Sequence, residues 1–405
     1  MSTEETRRFE LVEGASSKFW EVKTDGPTVT VRYGRIGSAG STQTRTLASN
    51  EAARTEAAQL IKEKLKKGYQ ELGVAQPNWV PPPHYGTEAR LSRFLNYPVF
   101  TFNPEAEEGE DAECGLKASP SLRDLGRRIY GVHLVYDDDE DAGRQRLEAL
   151  LADPKVIELK ALVLGAWWAD VCEDPPTAAV DLLLSHRDRL QGLEGLFLGD
   201  VVREENEISW LHQMDYGPLL NALPGLREVV IRGGEGLRLS GLAHAGLRRL
   251  TLQTGGLSGE CVRDLAAAKL PALEDLALWL GSDDYGATYT TPDLLPIVEG
   301  KAFPDLKYLG LMNAGYYPPG LIEALAKSPL LGRLNGLDLS MGTFGDAEAV
   351  VLLASPHLQG LKHLNLRHHY LTESFAKRFR ELGIEVNLRD TRKPDDDDRF
   401  CEVSE

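Results

Sequence analysis

From residue 156 onward, apolar positions recur in the unit L-x-x-L-x-L. It appears at Leu159, Leu162 and Leu164, at Leu193, Leu196 and Leu198, and with branched substitutes at Leu226, Val229 and Ile231. It continues at Leu247, Leu250 and Leu252, at Leu273, Leu276 and Leu278, at Leu306, Leu309 and Leu311, at Leu334, Leu337 and Leu339, and at Leu361, Leu364 and Leu366. Successive starts lie 34, 33, 21, 26, 33, 28 and 27 residues apart. A period of that length predicts one short strand per unit, with room for a helix in most of them. Segments 259–268 and 346–354 read as two such helices.

The first 73 residues follow another pattern. Short strand-like segments at 9–12, 19–23, 28–33 and 42–47 are separated by Gly, Ser and Asp turns. Ser49-Asn50-Glu51 then opens an amphipathic helix in which Ala53, Ala57, Leu60, Ile61 and Leu65 share a face, and Gly68 is expected to stop it. Between the two patterns, Pro77, Pro81, Pro82 and Pro83 predict a stiff spacer. The acidic runs at 105–113 and 137–141 read as solvated loops.

The fold class expected is therefore α/β: a small antiparallel sheet plus helix, followed by a leucine-rich-repeat α/β solenoid, or horseshoe. The boundaries are 1–73 for the front domain, 74–93 for a proline-rich linker, 94–155 for an N-terminal cap, and 156–405 for the repeats with a C-terminal cap. In such a solenoid the leucines of each strand face the core and the intervening residues face outward. Those residues are Glu228, Arg232, Arg249, Gln253, Asp275, Trp279, Tyr308, Met312, Asp338, Ser340, His363, Asn365 and Arg367. Their mixture of charge, aromatic and amide groups suits recognition of a protein surface or a polar ligand.

Composition narrows the setting. The chain of 405 residues is 42% hydrophobic and 26% charged, with a net charge of −17. Residues 1–73 hold 12 Lys and Arg against 10 Asp and Glu, so the remainder carries −19. A body that acidic repels polyanions, which confines any nucleic-acid contact to the front domain. The opening residues, Met1 to Arg8, hold no apolar stretch for a signal peptide, and no run of about 18 apolar residues occurs. Cys114, Cys172, Cys261 and Cys401 are scattered, as expected of reduced thiols in a cytoplasmic protein.

Several spaced blocks carry a resemblance. They are Ser17-Lys18-Phe19-Trp20-Glu21-Val22, Val29-Thr30-Val31-Arg32-Tyr33-Gly34-Arg35-Ile36-Gly37-Ser38-Ala39-Gly40, Ser49-Asn50-Glu51-Ala52-Ala53 and Lys64-Leu65-Lys66-Lys67-Gly68-Tyr69. Together, over about residues 7–72, they resemble the WGR domain of poly(ADP-ribose) polymerases and of bacterial proteins such as the molybdate metabolism regulator. The sequence departs from the family at its namesake tryptophan, which is Tyr33 here. The resemblance implies DNA contact near a strand end through the positions of Tyr33 and Arg35. An aromatic face can stack on a base or sugar, and arginine presents a planar fork to phosphate. Lys18, Arg32 and Arg45, with Arg7 and Arg8, would extend a phosphate-facing patch, and Gly34, Gly37 and Gly40 would admit close backbone approach. DNA or RNA is the partner implied, and a front domain that contacts only protein is the alternative.

From residue 94 to the end the chain also resembles a bacterial leucine-rich-repeat family of unknown function. The strings are Phe197-Leu198-Gly199-Asp200, Glu205-Asn206-Glu207-Ile208-Ser209-Trp210, Leu278-Trp279-Leu280-Gly281, Leu337-Asp338-Leu339-Ser340-Met341-Gly342 and Arg399-Phe400-Cys401-Glu402-Val403-Ser404-Glu405. That resemblance implies the fold and no reaction.

Catalytic chemistry has little to build on. Asp200, Glu204, Glu205, Glu207 and Asp215 are concentrated after one repeat strand without a Ca²⁺-loop spacing, and read as a solvated loop that caps the strand or a patch for a basic partner. His357, His363, His368 and His369 are not expected to share a metal, since adjacent strand residues point to opposite sides, and they read as facing solvent or a partner. Arg232-Gly233-Gly234-Glu235-Gly236 lacks the Lys-Ser/Thr of a phosphate loop and reads as a turn. No enzyme activity, metal or cofactor is expected, and the leading reading is an adaptor, with a purely protein-binding scaffold as the alternative.

Overall fold

The computed structural model describes residues 7–71 and 81–403, without 14–15, 37, 39, 68, 111, 113, 135–137, 140, 167–173 and 396–397. Gly37, Gly68, Cys172, residues 76–80 of the expected spacer and parts of both acidic runs lie outside the described residues.

Alternation in the front segment builds five antiparallel strands: β1 (Arg7–Glu13), β2 (Ser16–Asp25), β3 (Thr28–Arg35), β4 (Ser41–Thr46) and β5 (Gln70–Glu71). Their order is β4-β3-β2-β1-β5. Helix α1 (Asn50–Lys66) starts where a side chain can satisfy its exposed amides, with the Ser49 hydroxyl accepting the Ala52 N–H at 3.1 Å. Ala53, Ala57 and Ile61, spaced by four, press onto Phe9, Trp20, Val22 and Val29 on one side of the sheet.

The second unit, Trp79–Glu405, is separate from the first, Met1–Asn78. Its strands are β6 (Arg93–Phe94), β7 (Tyr97–Phe102), β8 (Lys117–Ser119), β9 (Ile129–Val132), β10 (Ala161–Gly165), β11 (Gly195–Asp200), β12 (Glu228–Arg232), β13 (Arg249–Gln253), β14 (Asp275–Gly281), β15 (Tyr308–Ala314), β16 (Gly336–Asp338), β17 (His363–Asn365) and β18 (Glu385–Asn387). They form one large, mostly parallel sheet that runs in chain order from β9 to β18. Every strand from β10 to β17 begins two residues after the first leucine of its motif. The register sets Tyr130, Leu162, Leu196, Val229, Leu250, Leu276, Leu309, Leu337 and Leu364 side by side, all fully buried. Each such side chain contributes about 1.5–3 kcal/mol by leaving water. The sheet extends past the eight motifs at both ends, through β7 and β9 before residue 156 and β18 after β17.

Helices return the chain between strands: α2 (Ala142–Ala152), α3 (Thr177–Ser185), α4 (Gly217–Ala222), α5 (Gly259–Ala267), α6 (Thr291–Val298), α7 (Leu321–Lys327), α8 (Asp346–Leu353) and α9 (Glu373–Arg380). From β9 onward the exception is the 21-residue unit between β12 and β13, which is too short to hold one and has none.

One expectation is overturned within residues 81–93. This stretch is no spacer. Tyr85 and Phe94 are buried against Phe197 and Val230, on the side of the sheet opposite the leucine ladder. Proline keeps the segment extended, and its aromatic side chains then bury themselves on the strand face.

Candidate functional site

Register decides which residues of the front sheet act together. Lys18 pairs with Arg35, and Trp20 with Tyr33, so these four share one side of the sheet. Trp20 is buried under α1, whereas Tyr33 keeps 38% of its surface and Arg35 and Lys18 are exposed. The Tyr33 hydroxyl accepts a hydrogen bond from Gln43 Nε2 at 3.0 Å, which orients the ring. The Arg35 guanidinium has no partner among the described residues. Lys64, near the end of α1, sits 5.6 Å from the Trp20 ring centre and 5.0 Å from that of Tyr69. Burial lowers its pKa first, and repulsion from Lys67 and Lys18 lowers it further, so several cations crowd this end of the sheet. Lys64 was missed as a site residue, although the run of lysines closing the helix could have signalled it.

Arg32 does not belong to that patch. It lies on the opposite side, where it clamps Glu21 with bonds of 2.7 and 2.9 Å, and Arg8 bonds the same carboxylate at 2.7 Å. Both guanidinia stand over Phe19, at 5.2 and 4.6 Å from its ring centre. Burial raises the Glu21 pKa, but the two arginines outweigh it and the net shift is downward. Arg45 is exposed but paired with Glu56 at 3.0 Å, a surface contact of little energy. Gly34 and Gly40 serve internal packing, not ligand approach. A Cβ on Gly40, whose φ is +69°, would stand 2.6 Å from the Phe19 ring, and one on Gly34 would stand 2.8 Å from Gly40 Cα.

The strand face of the second unit gives the reverse result. Glu228, Arg249, Asp275, Tyr308 and His363 do lie in one row across it, as alternation requires. However, Arg232, Asp275, Trp279, Tyr308 and Asp338 are buried, with Arg249, His363, Asn365 and Arg367 only partly covered. The expected open face is occupied by the chain's own residues 84–91. Tyr85 OH donates to Glu228 at 2.6 Å, Gln253 Nε2 donates to Tyr85 O at 2.5 Å, and Arg232 Nη2 donates to Gly86 O at 2.8 Å. The His84 ring stacks on Trp279 at 5.7 Å. Neighbouring strands tie the other polar residues together. Arg249 bridges Glu228 and Asp275 at 3.3 and 2.8 Å, while Tyr308 and Asn365 donate to Asp338 at 2.9 and 2.8 Å. Burial, above all, pushes the Glu228 carboxyl up and the Tyr85 phenol well up.

The acidic concentration after β11 is likewise no solvated loop at its first residue. Asp200 is fully buried, bonded to His133 Nε2 at 3.1 Å and to the Leu91 N–H at 3.2 Å, with Arg232 Nη1 at 3.9 Å. Burial raises its pKa, but the hydrogen bond to His133 and the nearby charges of Arg232 and Arg90 prevail and the net shift is downward. Glu205 is paired with Arg90. The buried His133 was not singled out in the sequence, because no local spacing marks a partner 67 residues away. His368 and His369, expected to face solvent or a partner, are buried too. His368 meets Asp390 and the Phe400 carbonyl at 3.2 Å each, and His369 accepts the Leu371 N–H at 3.1 Å. No helix among the described residues is long and apolar enough to cross a membrane.

Comparison with known proteins bears on the two units differently. Across 65 residues the chain is 42% identical to the uncharacterized protein YfeS of Escherichia coli (strain K12), a match that covers 16% of this chain and spans only 27% of that relative's length. It is also similar to the crystal structure of a Bacteroides fragilis protein, at 27% identity and a TM-score of 0.68, covering 99% of this chain and 100% of that one. Residues 5–76 match the WGR domain family. The geometry of the front sheet and this match converge: residues 5–76 of the chain are a WGR domain.

Proposed function

We propose that this protein is a non-catalytic cytoplasmic adaptor: its WGR domain binds nucleic acid, and its second unit is a leucine-rich-repeat solenoid that binds a protein partner. One observation carries the first half. Tyr33, Arg35 and Lys18 share a side of the sheet, are exposed, and are held at the end of a paired β2–β3 hairpin. A base or sugar edge can stack on the Tyr33 ring while Arg35 and Lys18 take flanking phosphates. Tyrosine offers the stacking face that the family's tryptophan would offer, so the substitution preserves the chemistry on a smaller ring. The eight leucine motifs, each with its buried leucines or their branched substitutes, support the solenoid. The engagement of Asp200 and Glu205 by His133, Arg232 and Arg90 favours a structural role for those carboxylates over catalysis.

A titration of the full chain against nicked, blunt and single-stranded DNA, read by gel shift at several salt concentrations, tests the proposal. Salt-sensitive binding that Tyr33→Ala and Arg35→Ala weaken together is the expected result. Binding that neither substitution alters, or no binding, would remove the nucleic-acid half and leave a scaffold for protein alone.

A further inference from the structure

The end of β15 and the turns that follow β16 and β17 share an unusual backbone. Asn313, Met341 and His368 each stand seven residues after the first leucine of their repeat and adopt φ of +52°, +67° and +59°. Gly233 takes the same place in an earlier repeat, with φ +109°. Left-handed backbone disfavours any residue with a Cβ, yet three consecutive repeats put a side chain there. Such strain persists where the surroundings over-determine it, and it clusters at ligand clamps.

All three residues touch one segment without regular secondary structure, Arg399 to Val403. His368 Nε2 lies 3.2 Å from the Phe400 carbonyl, and the Met341 carbonyl accepts the Glu402 N–H at 2.8 Å. The fully buried Asn313 amide faces Val403 with both functions: its Oδ1 accepts the Val403 N–H at 2.9 Å and its Nδ2 donates to the Val403 carbonyl. That is recognition of peptide backbone, independent of side chain. Tyr370 OH adds bonds of 3.0 Å to both the N–H and the carbonyl of Phe400. Side chains supply selectivity. Arg367 pairs with Glu402, Val403 packs against the Trp279, Tyr308 and Met312 cluster, and Cys401 is buried while Phe400 is 59% exposed. Beside Val403 lies a cavity of about 130 Å³ with Trp279, Met341 and Arg203 in its wall.

We infer that this groove is a receptor for a peptide carrying a small, an acidic and an aliphatic residue in succession, and that residues 399–403 occupy it as a tethered internal competitor. The inference deepens the partner-binding reading of the second unit and rests on it. A tethered ligand acts at a high effective concentration, so a partner peptide binds well only once the internal segment leaves.

The test keeps the groove intact. A protease site is inserted between Lys393 and Pro394 of the full chain, the folded protein is cut, and a fluorescent peptide Arg-Phe-Ser-Glu-Val is titrated by anisotropy. The cut chain is expected to bind the probe saturably, and the uncut chain about tenfold or more weakly. Asn313→Ala, or a probe with Lys in place of Glu, is expected to weaken binding by about tenfold. A cut chain that stays folded by circular dichroism and ignores the probe would overturn the inference. So would loss of the fold on cutting, which would make the segment a core cap, or a concentration-dependent dimer of the uncut chain with exchanged tails. A protein partner retained by the cut chain without competition from the probe would also overturn the groove, while leaving the adaptor reading in place.

Discussion

The two units present charged and aromatic residues from the same kind of element, a strand with alternating faces, and put them to opposite use. In the WGR domain Tyr33, Arg35 and Lys18 remain exposed at a sheet end. In the second unit Trp279, Tyr308 and Arg232 are buried by other parts of the same unit. Residue type and alternation therefore do not distinguish a binding surface from an internal polar interface. What distinguishes them is whether the partner groups are already supplied by the chain. A buried arginine is held by fixed acceptors and is structural, while an exposed one next to an oriented aromatic ring is available.

Arg232→Ala is the substitution expected to separate the two regions most widely. It removes the guanidinium that reaches Asp200, Val201, Gly86 and Gln253, and a loss of about 3–5 kcal/mol in urea denaturation is expected for breaking such a buried set. Arg35→Ala is expected to change stability by less than about 0.5 kcal/mol. Equal losses would erase the contrast.

Glu21→Gln sharpens it inside the WGR domain, where Arg32 and Arg8 are engaged by one carboxylate while Tyr33 and Arg35 stay exposed on the other side of the sheet. The Glu21 pKa is lowered from 4.5 in the folded state by Arg32 and Arg8, so its carboxylate stabilises the fold above about pH 4.5 and the effect fades as pH falls through the folded value. Hydrogen exchange in β2 and β3 is expected to report a loss of about 2 kcal/mol at pH 7 and a much smaller one under strong acid. A loss independent of pH would mean that the ion pair is not its source.

Tyr33→Ala and Arg35→Ala are each expected to weaken DNA binding about tenfold, or about 1.4 kcal/mol, without altering the fold. Arg32→Ala is expected to act on stability instead. The smallest effect is that of Lys18→Ala, which should lower the slope of log affinity against log salt by about one if Lys18 meets a single phosphate. An unchanged slope would place Lys18 outside the interface.

Much of this fold can be read in the sequence because its determinants are local. Ser49 caps α1, and each leucine motif starts a strand two residues later, since both depend on neighbours within a few positions. Covering of the strand face was not legible. Prolines 81 to 83 announce an extended chain but not what it rests on, and Tyr85 is held by Glu228, 143 residues away. The same limit applies in miniature to Arg32. Strand parity alone separates it from Tyr33 and Arg35, yet its capture by Glu21 appears only once β2 and β3 are in register.

Hydroxyl-radical footprinting read by mass spectrometry, with and without nicked duplex, compares both regions in one sample. In the free chain Tyr33 should be oxidised readily while Trp279 and Tyr308 are spared, with the exposed Trp210 as the internal standard. Adding DNA should protect Tyr33 and leave Trp279 unchanged. Oxidation of Trp279 as fast as Trp210, or a Tyr33 signal indifferent to DNA, would contradict the contrast between an open WGR surface and a strand face closed by its own chain.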